Sequence, residues 1–431
     1  MAHNLRRDLG TVESYAALLG ILIGAGIFKV TSEAWALTGP SVILGYLVLA
    51  PAILATSVAY SVFLSTPLGR EPGGEYTHIS RTFGGFGLAF VGSWLKIISY
   101  IGALAYLARA LGDYARELFG GGSVMAIAVG SLLFFYAIHV AGVRWFGRLQ
   151  VWMCVVLGIS LVVLIGPGLF HIRMENYRPF VTHGFHGFLA ALPPLFFAYA
   201  GFEALAQTAG EVRDSTRKLP RIFITGITAT MVIYLLMSVV ALGVLPRSRL
   251  LIAPAPMAEA ASHYLPFGAA ALVTVGAIMA LATSLNATML VPSRVAIMLA
   301  EDGVAPKWMG RVSARTGTPI VGLTITLAAA LILLLSGEIS LALNIAVFAL
   351  VILYLLHSIA LLLLPRRNPE LFAQVTVGVP LWLQRAMAVL SIAAMTALLT
   401  QLTLPTVKLL LFWAAIGALL YAMERWQRRA R

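Results

Sequence analysis

The segment Leu22-Ile23-Gly24-Ala25-Gly26-Ile27-Phe28 places two glycines, one residue apart, inside an apolar stretch long enough to cross a bilayer. Glycine in a helix interior costs about 1 kcal/mol relative to alanine. Two of them at membrane depth therefore predict a helix that breaks there. Broken backbone is tolerated inside a membrane only where protein buries it or where it lines a water-filled cavity. Discontinuous helices of this kind hold the cargo of secondary transporters. The segment thus constrains both the fold and the position of a site.

Composition agrees with a membrane-embedded chain. Of 431 residues, 60% are hydrophobic and 11% charged, and mean hydropathy is +0.91; a soluble domain carries about 25% charged residues. The net charge of +13 raises the question of nucleic acid, but its distribution excludes that reading. With the spans placed as below, about twenty Lys and Arg residues fall on one side and about seven on the other. The rich side holds Arg6, Arg7, Arg70, Arg81, Arg144, Arg148, Arg213, Arg217, Lys218, Arg221, Lys307, Arg311, Arg315, Arg366, Arg367, Arg385 and the tail from Arg425 to Arg431. That asymmetry predicts a multi-pass protein of the cytoplasmic membrane with both termini cytoplasmic. The N-terminus reads as retained, because Arg6 and Arg7 precede no apolar core with a small-residue cleavage site. The single cysteine, Cys154, falls in a predicted span and reads as a small buried hydrophobe. No intrachain disulfide and no disulfide-linked partner are expected.

Apolar runs predict about twelve membrane helices in one transporter domain over residues 1–431: 11–38, 40–66, 86–111, 122–142, 146–170, 188–208, 222–245, 267–299, 318–336, 339–364, 384–403 and 405–424. The polar connections are 67–85, 209–221, 246–266, 300–317 and 365–383; the third reads as an outer loop with a short helix. The sixth span is also interrupted, at Leu195-Phe196-Phe197-Ala198-Tyr199-Ala200-Gly201-Phe202-Glu203, and it lies five spans after the first. Breaks at matching positions of two halves point to an inverted repeat, here 11–170 and 188–364, followed by two additional helices over 384–424. This repeat rests on position, because no identity between the halves is visible.

Four stretches resemble the amino acid–polyamine–organocation (APC) superfamily of permeases. They are Gly24-Ala25-Gly26-Ile27-Phe28; Pro72-Gly73-Gly74-Glu75-Tyr76 with Phe83-Gly84; Phe197 to Glu203 continuing through Gly210-Glu211-Val212 and Leu219-Pro220-Arg221; and Ser293-Arg294, Glu301 to Lys307 and Gly317-Thr318-Pro319. The resemblance covers about residues 11–320. It implies an all-α fold with the LeuT-type 5+5 inverted repeat, discontinuous helices one and six, and transport of amino acids or related amines. It also implies that the Pro72–Tyr76 loop and the basic 213–221 loop help to close a cytoplasmic gate.

The chemistry of two helix breaks leads to the same site independently. Unpaired N–H groups at the start of a half-helix attract an anion, so a substrate carboxylate is placed against Gly24, Ala25, Gly26 and Ile27. Unpaired carbonyls at the end of a half-helix attract a cation, so an ammonium is placed against Ala198, Tyr199 and Ala200. Phe196, Phe197, Tyr199 and Phe202 either wall the side-chain pocket or simply pack, and the resemblance singles out Phe202 as a gate. Glu203, a carboxylate at membrane depth, carries a proton, contacts an amine or braces the break through hydrogen bonds. Gly26→Val is expected to abolish transport and to leave the protein folded.

Ion coupling has several candidates. Thr283 and Ser284 on helix eight, with carbonyls near Ile21 and Gly24, are the oxygen set that a Na⁺ would take; interhelical bonding is the plain alternative. Lys96, mid-span in helix three, either pairs with Glu203, lines the inner vestibule or reaches the surface. Some proton-coupled relatives carry a lysine on helix five. The corresponding position here, counted from Gln150, is Leu157, and that helix has no lysine. Na⁺ coupling, H⁺ coupling and uncoupled exchange all stay open. Lys29 and Glu33 read as a surface pair, and His139, Asn286 and His357 as helix–helix hydrogen bonds.

The sequence contains no metalloenzyme spacing, no phosphate-binding Gly-x-x-x-x-Gly-Lys and no nucleophile with a base. No cofactor beyond a coupling Na⁺ or H⁺ is expected, and the chain reads as a monomer or homo-oligomer in the lipid bilayer. A secondary transporter of amino acids, favouring neutral ones, is the leading expectation. Glu203 is the one clear acid near the breaks, whereas a polyamine or cationic amino acid carrier needs more. A channel is disfavoured by two non-identical breaks, and an enzyme by scattered polar residues.

Overall fold

A computed structural model of the chain describes residues 7–24, 26–246, 249 and 256–429. Ala25, Arg6 and Arg431 lie outside them, as does most of the first part of the 246–266 loop. Ten stretches are helical, long and apolar enough to cross a membrane, and among the described residues there is no β-strand. One parallel bridge joins Leu9 to Val212.

The first stretch, Thr11–Leu64, contains three helices. They are α1 (Thr11–Leu22), α2 (Thr31–Thr38, entered through a wide turn over Gly26–Val30) and α3 (Val42–Leu64). Between α2 and α3, Gly39 turns the chain in a left-handed conformation (φ 71°), which glycine adopts without Cβ strain, and Pro40 follows. Then come α4 (Glu75–Phe83), α5 (Phe86–Phe119), α6 (Val124–Ala141) and α7 (Val143–Gly168). The second part of the chain begins with α8 (Gly184–Tyr199), the short α9 (Ala204–Gln207) and α10 (Ser215–Val244). It continues with α11 (Pro256–Ser262), α12 (Phe267–Glu301), α13 (Ile320–Ser336), α14 (Ile339–Arg367), α15 (Pro369–Phe372), α16 (Leu381–Leu399) and α17 (Leu404–Arg429). The helix α13 is apolar but shorter than the ten.

Helices span a membrane because every backbone group is then bonded within the segment. The packing here sorts them into inner and outer members. The long helices α12 and α14 both pack against α5, and α1 lies against α7, α10 and α12. Small residues set the close approaches: a Cβ on Gly102 would meet the Ala342 carbonyl oxygen of α14 at 2.5 Å. Large apolar side chains exposed on α6, α7, α16 and α17, such as Phe134, Trp152, Val162, Trp382 and Phe412, have the character of a lipid-facing surface.

The predicted spans and observed helices differ in two instructive places. The 67–85 connection, expected to be polar loop, contains α4, whose Glu75, Tyr76, Thr77, His78 and Ser80 are buried. Its low hydropathy reflects polar side chains that find partners inside the protein. The seventh span, expected to start at 222, starts at Ser215, because its first turns carry Ser215-Thr216-Arg217-Lys218 and fall below the hydropathy of a span.

Candidate functional site

The first interruption follows α1. Ile23 leaves helical space (φ −80°, ψ 73°), and the Gly24 amide bonds back to the Leu22 carbonyl at 2.8 Å. Among the described residues, the amides of Gly26 and Ile27 donate to no carbonyl. Both glycines are needed for close approach. A Cβ on Gly24 would overlap the Ser284 hydroxyl, and one on Gly26 would overlap the Cα of Ala198 on the other interrupted helix. The carbonyls ending α1 are taken by hydroxyls from elsewhere. Thr283 Oγ1 donates to Gly20 O at 2.8 Å, and Ser284 Oγ lies 2.9 Å from both Gly20 O and Ile21 O. These are interhelical bonds, and they gather the oxygens that a small hard cation would use.

The second interruption follows α8. Ala200 is extended (ψ 155°) and Gly201 is left-handed (φ 104°), so the chain leaves the helix and re-enters it at Ala204. Glu203, fully buried, caps the break itself: Oε2 accepts the Gly201 amide at 3.0 Å and the Tyr354 hydroxyl, and Oε1 accepts the Tyr100 hydroxyl at 2.7 Å. Among the described residues, no donor reaches the carbonyls of Tyr199 and Ala200. The Ala198 carbonyl, expected to face an ammonium, instead accepts the Tyr234 hydroxyl at 2.6 Å, and the same hydroxyl also donates to Leu22 O. Tyr234 thus ties the two breaks together from α10.

Between the breaks lies a narrow cavity of about 30 Å³, walled by Ile21, Leu22 and Gly26, by Ser99, Tyr100, Ala103 and Leu107 of α5, by Phe197, Ala200 and Gly201, by Ser284 and Thr288, and by Leu350. That is room for about two waters. Phe197 sits at its wall with Tyr106 edge-on at 5.5 Å. A larger recess of about 1190 Å³ opens at the basic end of the bundle between Thr11, Thr66, Arg70, Arg217, Arg221 and Thr376, and none of its lining residues belongs to either break.

Several expected site residues do not line the cavity. Phe202 packs edge-on against Tyr60 at 5.3 Å and beside Tyr354 and Phe223. Tyr199 belongs to a cluster with Tyr46 and Tyr234. The Glu203 carboxylate is enclosed by its three donors. Once Ala200 departs from helical geometry, the residues after it no longer follow the helical face on which they were placed. Sequence reasoning missed Ser99, Tyr100, Ala103, Leu107, Thr288 and Leu350. Their signal was the helical spacing of Ser99, Ala103 and Leu107 on one face of helix three.

Lys96 does not pair with Glu203. Its Nζ lies 2.7 Å from Glu75 Oε2, with both side chains about 1% exposed. The Lys29–Glu33 surface pair does not form either: Lys29 approaches Asp113 at 3.9 Å, and Glu33 accepts the Tyr106 hydroxyl at 3.0 Å. His139 bonds the Asn286 carbonyl, Asn286 donates to Gln150, and His357 meets His78 at 3.0 Å, all between helices.

Membrane-length helices, two of them interrupted and laid against each other around a narrow cavity, define a polytopic α-helical membrane protein of the transporter class. A sequence model of the amino acid permeases matches residues 15–421, and the chain belongs to that family, within the amino acid–polyamine–organocation superfamily. It is similar to the methylthioribose transporter of Bacillus subtilis (strain 168), 27% identical over 447 residues that cover 97% of this chain and 93% of the relative. It is similar to the branched-chain amino acid permease BcaP of the same organism, 24% identical over 446 residues, again 97% and 93%. It is also similar to the chloroplastic cationic amino acid transporter 9 of Arabidopsis thaliana, 28% identical over 331 residues, 72% of this chain and 58% of the relative. The family and these relatives are transporters, not enzymes.

Proposed function

We propose that the protein is a secondary active transporter that moves neutral amino acids with apolar side chains across the cell membrane by alternating access. The observation that carries the choice of substrate is the cavity wall. It offers aliphatic carbons, one phenylalanine and a few hydroxyls, with no charged side chain among its lining residues. The one acid at the breaks, Glu203, already accepts from three donors. A cationic side chain would enter without a counter-charge, which is costly at membrane depth.

The backbone supplies the zwitterion's ends. Gly26 and Ile27 present amides to the carboxylate; Tyr199 and Ala200 present carbonyls to the ammonium. Phe197 closes the side-chain pocket. The cavity must widen to take an amino acid, and Gly26 against Ala198 is the contact that widening separates. Thr283 and Ser284, with the carbonyls of Ile21 and Gly24, form the candidate Na⁺ position. In this reading the Thr11–Leu64 stretch makes two crossings and α13 makes one. That gives twelve crossings in a single unit, with a LeuT-type repeat over 11–170 and 188–364, two further helices and both termini cytoplasmic. The place of the two breaks, first in each repeat, supports it.

The test is uptake into proteoliposomes of radiolabelled leucine, arginine, spermidine and methylthioribose, under an imposed Na⁺ gradient, an imposed proton gradient, or internal substrate alone. Saturable leucine uptake that exceeds arginine uptake is expected. Uptake of arginine or spermidine in preference to leucine overturns the neutral assignment, and flux without saturation or counterflow overturns the carrier.

A further inference from the structure

The Lys96–Glu75 pair sits outside the cavity and outside everything the substrate reading uses. Four elements converge on the Glu75 carboxylate. Lys96 of α5 donates to Oε2 at 2.7 Å, Gln207 of α9 donates to Oε2 at 2.7 Å, and Tyr60 of α3 donates to Oε1, while α4 supplies the acid. The glycines before it make this possible. Gly73 and Gly74 are left-handed (φ 98° and 47°), and a Cβ on Gly74 would overlap the Gln207 amide. The loop is therefore pressed against α9, the second half of the interrupted helix.

The surrounding ionisable groups are His78 on α4, Tyr100 on α5, Glu203 at the break, and Tyr354 and His357 on α14. Tyr100 lies under the Lys96 ammonium at 5.5 Å from ring centre to Nζ. His78 and His357 are bonded to each other. The other buried pair, Arg294 on α12 with Glu211 at 3.2 Å, is separate. A buried ion pair gains little net energy over apolar packing, but losing one partner's charge is strongly unfavourable. The arrangement around Glu75 therefore depends on both charges being present. Burial raises the Glu75 carboxyl above the ordinary carboxylate range, and the Lys96 ammonium opposes that rise.

We propose that Glu75 is a proton-binding site that couples transport to proton movement, with Lys96 as the counter-charge that holds it ionised while this end of the bundle is closed. The inference rests on the secondary-transporter reading. When water reaches the site, a proton from that water bonds to a Glu75 oxygen. Lys96, still an ammonium, loses its partner, Gln207 loses a charged acceptor, and α9 separates from α4 and α5. Return of the proton to water restores the pair.

The test compares wild type, Glu75→Gln and the double variant Glu75→Gln/Lys96→Met in proteoliposomes, with radiolabelled leucine as the probe and arginine in parallel. The double variant removes both charges, so it leaves no orphaned ion to unfold the protein. Proton-driven accumulation is expected to fall about tenfold or more in both variants, while counterflow at equal pH in the double variant stays within about threefold of wild type. Unchanged proton-driven accumulation in the double variant overturns the inference, as does wild-type accumulation indifferent to a proton gradient. Absence of any flux in wild type, counterflow included, is the different result that removes the transporter reading itself. A second readout needs no substrate. Amide hydrogen exchange of residues 72–83 and 204–211, corrected for intrinsic rate, is expected to quicken on mild acidification in wild type and not in the double variant. Equal protection at both pH values in wild type overturns the switch.

Discussion

The two interrupted helices reach the same outcome by opposite chemistry. At the first, the segment's own polar contribution is the Thr31 hydroxyl, 3.4 Å from the Gly26 carbonyl. Its loose carbonyls at Gly20, Ile21 and Leu22 are satisfied by hydroxyls brought from α10 and α12 by Tyr234, Thr283 and Ser284. At the second, the loose amide of Gly201 is satisfied chiefly by Glu203, two residues on, with the Tyr354 hydroxyl at 3.4 Å; partner helices brace that carboxylate, and Tyr234 takes the Ala198 carbonyl. One break depends on its neighbours and the other largely on itself. Among the described residues, what each leaves unpaired is also opposite: amides at Gly26 and Ile27, carbonyls at Tyr199 and Ala200. That polarity suits a zwitterion.

The sharpest way to break this comparison is Gly26→Val. The added Cβ would overlap the Ala198 backbone, so the loss is expected to be about 3 kcal/mol or more, read as loss of a folded, monodisperse protein in detergent. This replaces the expectation of a folded but inactive variant, since a backbone contact cannot give way as a side chain can. Gly201→Ala is the contrasting change: it meets only the Ile21 side chain, near 3.1 Å, and is expected to cost about 1–2 kcal/mol of left-handed strain.

Glu203→Gln comes next. An amide in place of the carboxylate leaves one of three donors badly matched inside the protein, for an expected loss of about 2–3 kcal/mol in thermal unfolding. If that variant proves as mild as a change at Ser284, the second break is not self-capped. Tyr234→Phe removes one hydroxyl from two buried carbonyls, Leu22 and Ala198, for about 2 kcal/mol. It is expected to lower uptake as well, because it unties the breaks from each other. The smallest effect belongs to Ser284→Ala, about 1 kcal/mol, since Thr283 still serves Gly20. Its informative readout is Na⁺ dependence of uptake: loss of Na⁺ stimulation supports the cation position, and unchanged stimulation removes it.

Much of this was legible in advance because hydropathy and glycine placement are local signals. Helix ends agreed with apolar runs wherever the helix itself was apolar, and both breaks fell at the glycine-bearing segments. Two kinds of feature were hidden. The helix α4 has the composition of a loop, because a buried polar helix and a solvated one have the same hydropathy; only its partners distinguish them. The directions of Phe202 and Glu203 were hidden because the 100° step per residue ends at Ala200, where ψ is 155°.

The sequence by itself determined that this chain lives in a membrane, which stretches are apolar enough to cross it, and where two of those helices break. Those are properties of contiguous residues and of the solvent around them. The tertiary structure decided which charge meets which. Lys96 was free to choose Glu203 or the surface on sequence grounds and meets Glu75, an acid in a segment with no membrane signal. Tyr100, Tyr234 and Tyr354, which nothing in the sequence singled out, hold the breaks. Long-range pairs leave no periodic trace, and in a low-dielectric interior the partner a buried charge finds is set by how the helices pack.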